Sequence, residues 1–330
     1  MEKVQGIVYA YTPEKRYDMV RDLGIDWIRL NVPFPWTDRL DGTISPRWES
    51  VKAAIREAAE AGLSVMPSTP TILDYPESIC GTYGTPGFYD AVRRTTRFMA
   101  ADLGPLAPSL WQCMNELDIP TFSGDVPLAI CAETCRQSAY GILDENPAAV
   151  CGTNFASWRP ESRAVGELLF SGAHPFGYVG DDQYFGSWQG GAVEDWVGVL
   201  DDMWAAFGLP ILVNEWGYSS RGETLPASAI PAVLPPHRNP VCCNKAWYNE
   251  VEGGHTETVQ AEYFRRGLAI FRSHPHVLGN FLFCFSDARR CWQCGEEDCP
   301  AECYWGLTDV NCVPKPAYYA VRSILRGTDA

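Results

Sequence analysis

Pro210 to Gly217 reads PILVNEWG, a short run of apolar residues, Ile211, Leu212 and Val213, that ends on the carboxylate of Glu215. Continuous apolar character over so short a span predicts a strand covered on both faces, as in a parallel sheet. Glu215 then falls where that strand opens into a loop. Leu110 to Glu116, LWQCMNE, repeats the design, with Asn115 immediately before Glu116. Two glutamates at the carboxyl ends of two buried strands are what a parallel barrel needs to aim both at one pocket, because that architecture builds its sites on the carboxyl-terminal face.

Around these stretches, strand and helix signals alternate. Val4 to Tyr9 reads as a strand, Thr12 and Pro13 as an N-cap followed by proline at the first helical position, and Gly24 as the stop of that helix. Trp27 to Asn31 is a second strand carrying Arg29. Ser45 and Pro46 open a helix that stops at Gly62, and Ser64 to Pro67 is a brief third strand. A helix from Gly87 to Leu103 leads to the fourth strand, which ends at Glu116. Then come a helix over Val126 to Leu143, a strand over Ala149 to Asn154, a helix over Glu161 to Phe170 and a strand over Tyr178 to Asp182. The helix Val193 to Phe207 stops at Gly208, directly before the seventh strand. An irregular insertion from Tyr218 to Gly254 precedes a helix with Phe264, Leu268 and Phe271 on one face, then an eighth strand at Phe281 to Phe285 and a final helix from Pro314 to Leu325. Eight strand-then-helix units in strict alternation predict an α/β fold, a (β/α)8 TIM barrel forming a single domain over residues 1–330, with long loops after strands seven and eight.

The composition agrees with one large core: 330 residues, 46% hydrophobic and 12% aromatic. A formal charge of −15 has the wrong sign for a phosphate backbone or an anionic membrane surface, so neither nucleic acid nor membrane is expected as a partner. The N-terminal stretch MEKVQGIVYA has no basic segment followed by an apolar run, which predicts a cytoplasmic protein. Oligomeric state leaves no signal in the sequence.

LWQCMNELD and PILVNEWGY resemble the acid/base and nucleophile segments of clan A, the retaining barrel glycoside hydrolases with catalytic glutamates on strands four and seven. GYVGDDQYFGSWQGG, GNFLFCFSD and WGLTDVNCVPKPAYYAVRSIL are similar to later parts of the family 2 β-galactosidase and β-glucuronidase barrel, without that family's preceding sandwich domains. The resemblance implies a β-glycosidase acting on a carbohydrate, with galactoside, glucoside and glucuronide the candidate substrates, by double displacement and with no organic cofactor. Glu116 is then the general acid/base and Glu215 the nucleophile. Asn115 would bond the sugar 2-hydroxyl, Tyr184 would orient Glu215, and Arg29 would keep that carboxylate ionised. Where the clan usually has tryptophan on strand eight, this chain has Phe283, which offers a ring face but no donor. A carbohydrate-binding barrel without activity, and a metal-dependent barrel hydrolase using the cysteine-rich loop, are the competing readings.

Sugar sites commonly place aromatic rings against C–H faces, and Trp36, Trp158, Trp188, Trp216 and Trp247 all fall near predicted strand ends, with Trp188 and Trp216 the best placed. Asp182, Gln183 and Asp287 are candidate hydroxyl ligands. Thirteen cysteines are many for a cytoplasmic chain, and CWQCGEEDCPAEC sets Cys291, Cys294, Cys299 and Cys303 in a C-x2-C-x4-C-x3-C pattern. That spacing is compatible with a closed structural zinc site. A ligand set that also draws on Cys242 and Cys243, disulfides, free thiols and an iron–sulfur cluster are the alternatives. His237 and His255 occur in the long loop near that region and read as solvated histidines, with a place in a metal site as the alternative.

Overall fold

A computed structural model describes residues 3–9, 15–106, 108–235 and 238–327. The expected cap at Thr12 and Pro13, and His237, lie outside the described residues. Eight strands form a closed barrel: β1 (Val4–Val8), β2 (Trp27–Asn31), β3 (Ser64–Ser68), β4 (Leu110–Gln112), β5 (Val150–Phe155), β6 (Tyr178–Gln183), β7 (Ile211–Trp216) and β10 (Val277–Leu282). Their cyclic order is β1-β10-β7-β6-β5-β4-β3-β2, while β8 (Glu223–Thr224) and β9 (Ala246–Trp247) pair separately within the insertion. The helices are α1 (Tyr17–Leu23), α2 (Pro46–Glu60), α3 (Glu77–Cys80), α4 (Pro86–Leu103), α5 (Pro120–Ser123), α6 (Leu128–Glu145), α7 (Pro160–Phe170), α8 (Trp196–Phe207), α9 (Pro240–Asn244), α10 (Glu257–Ser273) and α11 (Pro316–Arg326). The predicted fold class is the observed one.

The chain divides into two compact units, Trp27–Asp182 with Asp202–Asn214, and Met1–Asp26 with Gln183–Asp201 and Glu215–Ala330.

In the first unit, β2 to β6 pair in parallel, with Arg29 opposite Met66, Ser68 opposite Gln112 and Gly152 opposite Tyr178. A Cβ at Gly152 would come within 2.4 Å of the Tyr178 ring. Glycine there lets that buried tyrosine cross β5 and donate its hydroxyl to the Trp111 carbonyl at 3.0 Å. Outside the strands, α4 packs on α6, where a Cβ at Gly141 would meet Thr96 Oγ1 and the Arg93 carbonyl. As the sequence predicts, Ser45 caps α2, accepting from the Trp48 amide, with Pro46 at the first position.

In the second unit, β1 pairs with β10 from Val4 opposite Gly279 to Ile7 opposite Leu282. Helices α10 and α11 pack together, and Tyr318 of α11 donates to the Met19 carbonyl of α1 at 3.0 Å.

Two predicted boundaries need correction. The eighth barrel strand is Val277–Leu282, earlier than the Phe281 to Phe285 expected, so Phe283 lies just past its end. The stretch VLGNFLFCF is apolar on both sides and carries no periodicity to fix its register. The fourth strand stops at Gln112, not Glu116, because Met114 (φ 63) and Glu116 (φ 44) adopt left-handed backbone that no strand can contain. Among the described residues, no helix is long and apolar enough to cross a membrane.

Candidate active site

In the first unit, the carboxyl ends of β2, β4, β5 and β6 are joined by a buried polar network. Gln112, the last residue of β4, accepts from Arg29 Nε at 2.6 Å and from Asn214 Nδ2 at 2.7 Å through the same oxygen. Its amide nitrogen lies 2.9 Å from both Asn115 Oδ1 and Asn154 Oδ1. Asn115 Oδ1 also accepts from Arg29 Nη2 at 2.7 Å and from Asn154 Nδ2 at 3.0 Å. Three donors thus saturate the Asn115 carbonyl, and its amide nitrogen donates to nothing among the described residues. That is the end left for a ligand oxygen.

Glu116 follows in left-handed backbone, its amide bonded to Asn154 Oδ1 at 3.2 Å, while the Met114 amide bonds Thr69 Oγ1 at 2.9 Å. Such backbone is costly for residues with side chains and persists only where the surroundings hold it. Asp182 on β6 accepts from Asn154 Nδ2, and its carboxylate lies within 4.8 Å of that of Glu116. The neighbouring Asp181 points to the opposite side of β6, wholly buried, with neither carboxylate oxygen partnered. Burial, then the negative charges of Asp118 and Glu116, push its carboxyl well above the usual range, so it is held protonated.

In the second unit, Tyr184 donates its hydroxyl to the Glu215 carboxylate. Its ring is fixed edge-on by Trp305 at 5.0 Å and Phe283 at 5.7 Å. Gln189 Oε1 accepts from the Tyr184 amide at 2.7 Å, closing the turn after β6. Half-buried Trp188 meets Trp247 edge-on at 5.1 Å. Asp287 is buried against Lys315 at 3.0 Å and the Gly306 amide at 2.8 Å; burial raises its carboxyl to about 6 against the pull of that lysine. It borders a cavity of about 420 Å³ shared with Arg221, Arg289 and Arg290.

Several expectations change. Trp216 is no sugar platform: alternation along β7 turns it away from Glu215, and it is fully buried against Phe264, Phe271 and Tyr263 with Nε1 on Asn280 at 2.9 Å. His255 is not a solvated loop residue. It stacks between Tyr218 at 4.7 Å and Trp247 at 5.2 Å, bonds the Ser219 carbonyl at 2.9 Å, and is pushed by burial to about 4. Cys303 stands apart from the tight thiol group, which is Cys242, Cys291, Cys294 and Cys299. The Cys303 thiol is turned to the Glu296 carbonyl at 3.7 Å.

Gln112, Asn154 and Asn214 were not singled out from sequence. Their signal is a polar residue inside a buried strand run, in LWQ, CGTNF and ILVNE, at a position whose alternation aims it inward.

No protein-family model and no curated protein sequence matches the chain. Solved structures do. An exo-β-1,4-mannosidase of an Opitutaceae bacterium, strain TAV5, aligns with a TM-score of 0.68 at 17% identity, covering 99% of this chain and 60% of that one. Bacteroides uniformis β-glucuronidase aligns at 0.65 and 16%, covering 98% and 35%. A fungal β-1,4-galactanase aligns at 0.65 and 14%, covering 97% and 94%. The chain spans about a third of the length of the β-glucuronidase and matches a galactanase along nearly its whole length. At these identities the likeness is one of fold alone, and that fold is the TIM barrel.

Proposed function

We propose that the chain is a retaining β-glycoside hydrolase in which Glu116 and Glu215 work as a pair. One observation carries this reading. The two glutamates stand at the carboxyl ends of β4 and β7 of a closed barrel, one preceded by an asparagine whose amide is left to donate, the other bonded by a tyrosine hydroxyl.

In the first step a Glu215 oxygen attacks the anomeric carbon while Glu116 gives its proton to the glycosidic oxygen. The carbon–oxygen bond breaks and the alcohol leaves. In the second step Glu116, now a carboxylate, takes a proton from water. The resulting hydroxide displaces Glu215, and free sugar departs with its configuration retained. Tyr184 orients the attacking carboxylate. Asn115 Nδ2 donates to the 2-hydroxyl, and Arg29 with Gln112 holds Asn115 in that direction. Trp188 and Phe283 supply ring faces for the sugar's C–H groups. No organic cofactor takes part. The substrate is a β-linked sugar, with galactoside, glucoside and glucuronide first in line.

The test is a panel of aryl α- and β-glycosides of galactose, glucose, glucuronic acid, mannose, fucose, arabinose and xylose. Wild type is run beside Glu215→Gln and Glu116→Gln. One β-glycoside is expected to turn over, and Glu215→Gln to lose at least roughly 10³-fold in rate. Glu116→Gln should lose least on activated aryl leaving groups, which need little protonation. Turnover surviving in Glu215→Gln sinks the assignment.

A further inference from the structure

Four thiols converge in the second unit: the Sγ atoms of Cys242, Cys291, Cys294 and Cys299 all lie within 4.8 Å of one another. Cys242 belongs to α9, in the insertion after β7, and the other three to the segment after β10. The sulfur of Cys242 lies 3.9 Å from that of Cys291 and 3.7 Å from that of Cys299. A disulfide requires about 2.0 Å, so neither contact is a bonded pair. A tetrahedron of sulfurs around one ion at about 2.3 Å has an edge of about 3.8 Å, which matches both distances. A four-iron cluster puts each thiolate on a different iron and spreads the sulfurs beyond the edge of a single coordination sphere.

The surrounding backbone is arranged for this convergence. Cys291 and Cys294 are brought to one side of a tight turn by the Gly295 amide bonding the Cys291 carbonyl at 2.7 Å and the Cys291 amide bonding the Glu296 carbonyl at 2.8 Å. Gly295 has a φ of 81, which a side chain would strain. On the other loop, Asn239 caps α9, accepting from the Cys242 amide at 2.9 Å. Two polar contacts stitch the loops beside the thiols, from Asn239 to Gln293 and from Lys245 to Asp298.

We propose that Cys242, Cys291, Cys294 and Cys299 bind one zinc ion as a tetrathiolate, a structural site clamping the loop after β7 to the loop after β10. Four sulfurs fill a tetrahedral shell, so no position stays open for substrate or water, and the site is structural rather than catalytic. Each thiol that binds releases its proton to solvent, and no electrons move. The set differs from the contiguous Cys291, Cys294, Cys299 and Cys303 in one ligand, and that difference is testable.

The full chain, purified without added metal, is analysed for metal content. One zinc per chain is expected, retained in Cys303→Ser and reduced at least roughly tenfold in Cys242→Ser. Should Cys242→Ser fail to fold, cobalt exchanged into wild type and into Cys303→Ser decides. Both are expected to show the same intense visible bands of tetrahedral tetrathiolate cobalt. Four outcomes overturn the proposal: a folded chain without stoichiometric metal, stoichiometric iron in place of zinc, an unreduced mass showing a cystine among these four residues, or zinc lost from Cys303→Ser and kept by Cys242→Ser.

Discussion

At Asn115 the direction of one amide decides what the residue contributes. Its carbonyl is held by Arg29, Gln112 and Asn154, so only its nitrogen faces a ligand. A bond of this kind to a hydroxyl that gains acidity in the transition state is worth about 1.5–3 kcal/mol. Asn115→Ala should therefore lower kcat/KM roughly 10- to 100-fold on the best β-glycoside. On the matching 2-deoxy glycoside, wild type and variant should differ little. Equal losses on both substrates would mean that Asn115 acts only by supporting the network. Asp181 presents the opposite case, a carboxyl with no partner. Burial holds it protonated in the folded chain, while in the unfolded chain it ionises near its ordinary value of 3.8. Between those two values the native state binds the extra proton, so stability falls as pH rises, by about 1.4 kcal/mol for each unit of upward shift. Asp181→Asn removes this slope. Its advantage over wild type in thermal unfolding should be small near pH 4 and grow toward pH 8, and a gap independent of pH would show that Asp181 is not held protonated. Asn115 and Glu116 are legible in the sequence because a polar pair closes an apolar run. Asp181 is not, because GDDQ places two identical residues side by side and only the phase of the strand separates them.

At the scale of the element, β7 shows what a short motif leaves open. PILVNEWG marks a buried strand ending in a carboxylate, but adjacent residues on a strand face opposite ways, so Glu215 and Trp216 cannot share a pocket. Trp216 instead meets α10 where Gly267 leaves room for its ring: a Cβ there would come within 2.2 Å. Trp216→Ala should cost about 3–5 kcal/mol, lowering the unfolding midpoint while leaving KM near wild type. Raised KM at unchanged stability would return Trp216 to the sugar site. The start of α2 was legible because a side chain announces it, at Ser45, whereas the Thr85 cap of α4 reads as part of the preceding loop. The ends of β4 and β10 were not legible either. The first is set by left-handed residues that no residue type signals, and the second by the pairing of β10 with β1, a contact between the two ends of the chain.

At the scale of the whole molecule, the barrel is legible because eight strand-helix alternations repeat one message, while the long loops are irregular and depend on contacts distant in sequence. The thiol cluster joins residues 242 and 291, and no local spacing could name that pair. Its consequence reaches the chemistry through packing. Cys299 and Cys303 flank the segment leading to Trp305, whose ring fixes Tyr184 at 5.0 Å, and Tyr184 in turn holds Glu215. On the proposed zinc site, removing the ion should therefore loosen the ring that holds Tyr184 against Glu215, the proposed nucleophile, while the barrel stays folded. With a chelator, the far-ultraviolet circular dichroism of the barrel is expected to persist, and hydrogen exchange to rise in the loops after β7 and β10. The ångström-scale misplacement of Glu215 should cost kcat/KM roughly 10- to 100-fold, restored by added zinc. If the loops open on chelation and activity is unchanged, the clamp is confined to stability and Trp305 does not transmit it. If the strands lose protection together with the loops, zinc supports the barrel itself rather than the loops over its catalytic end.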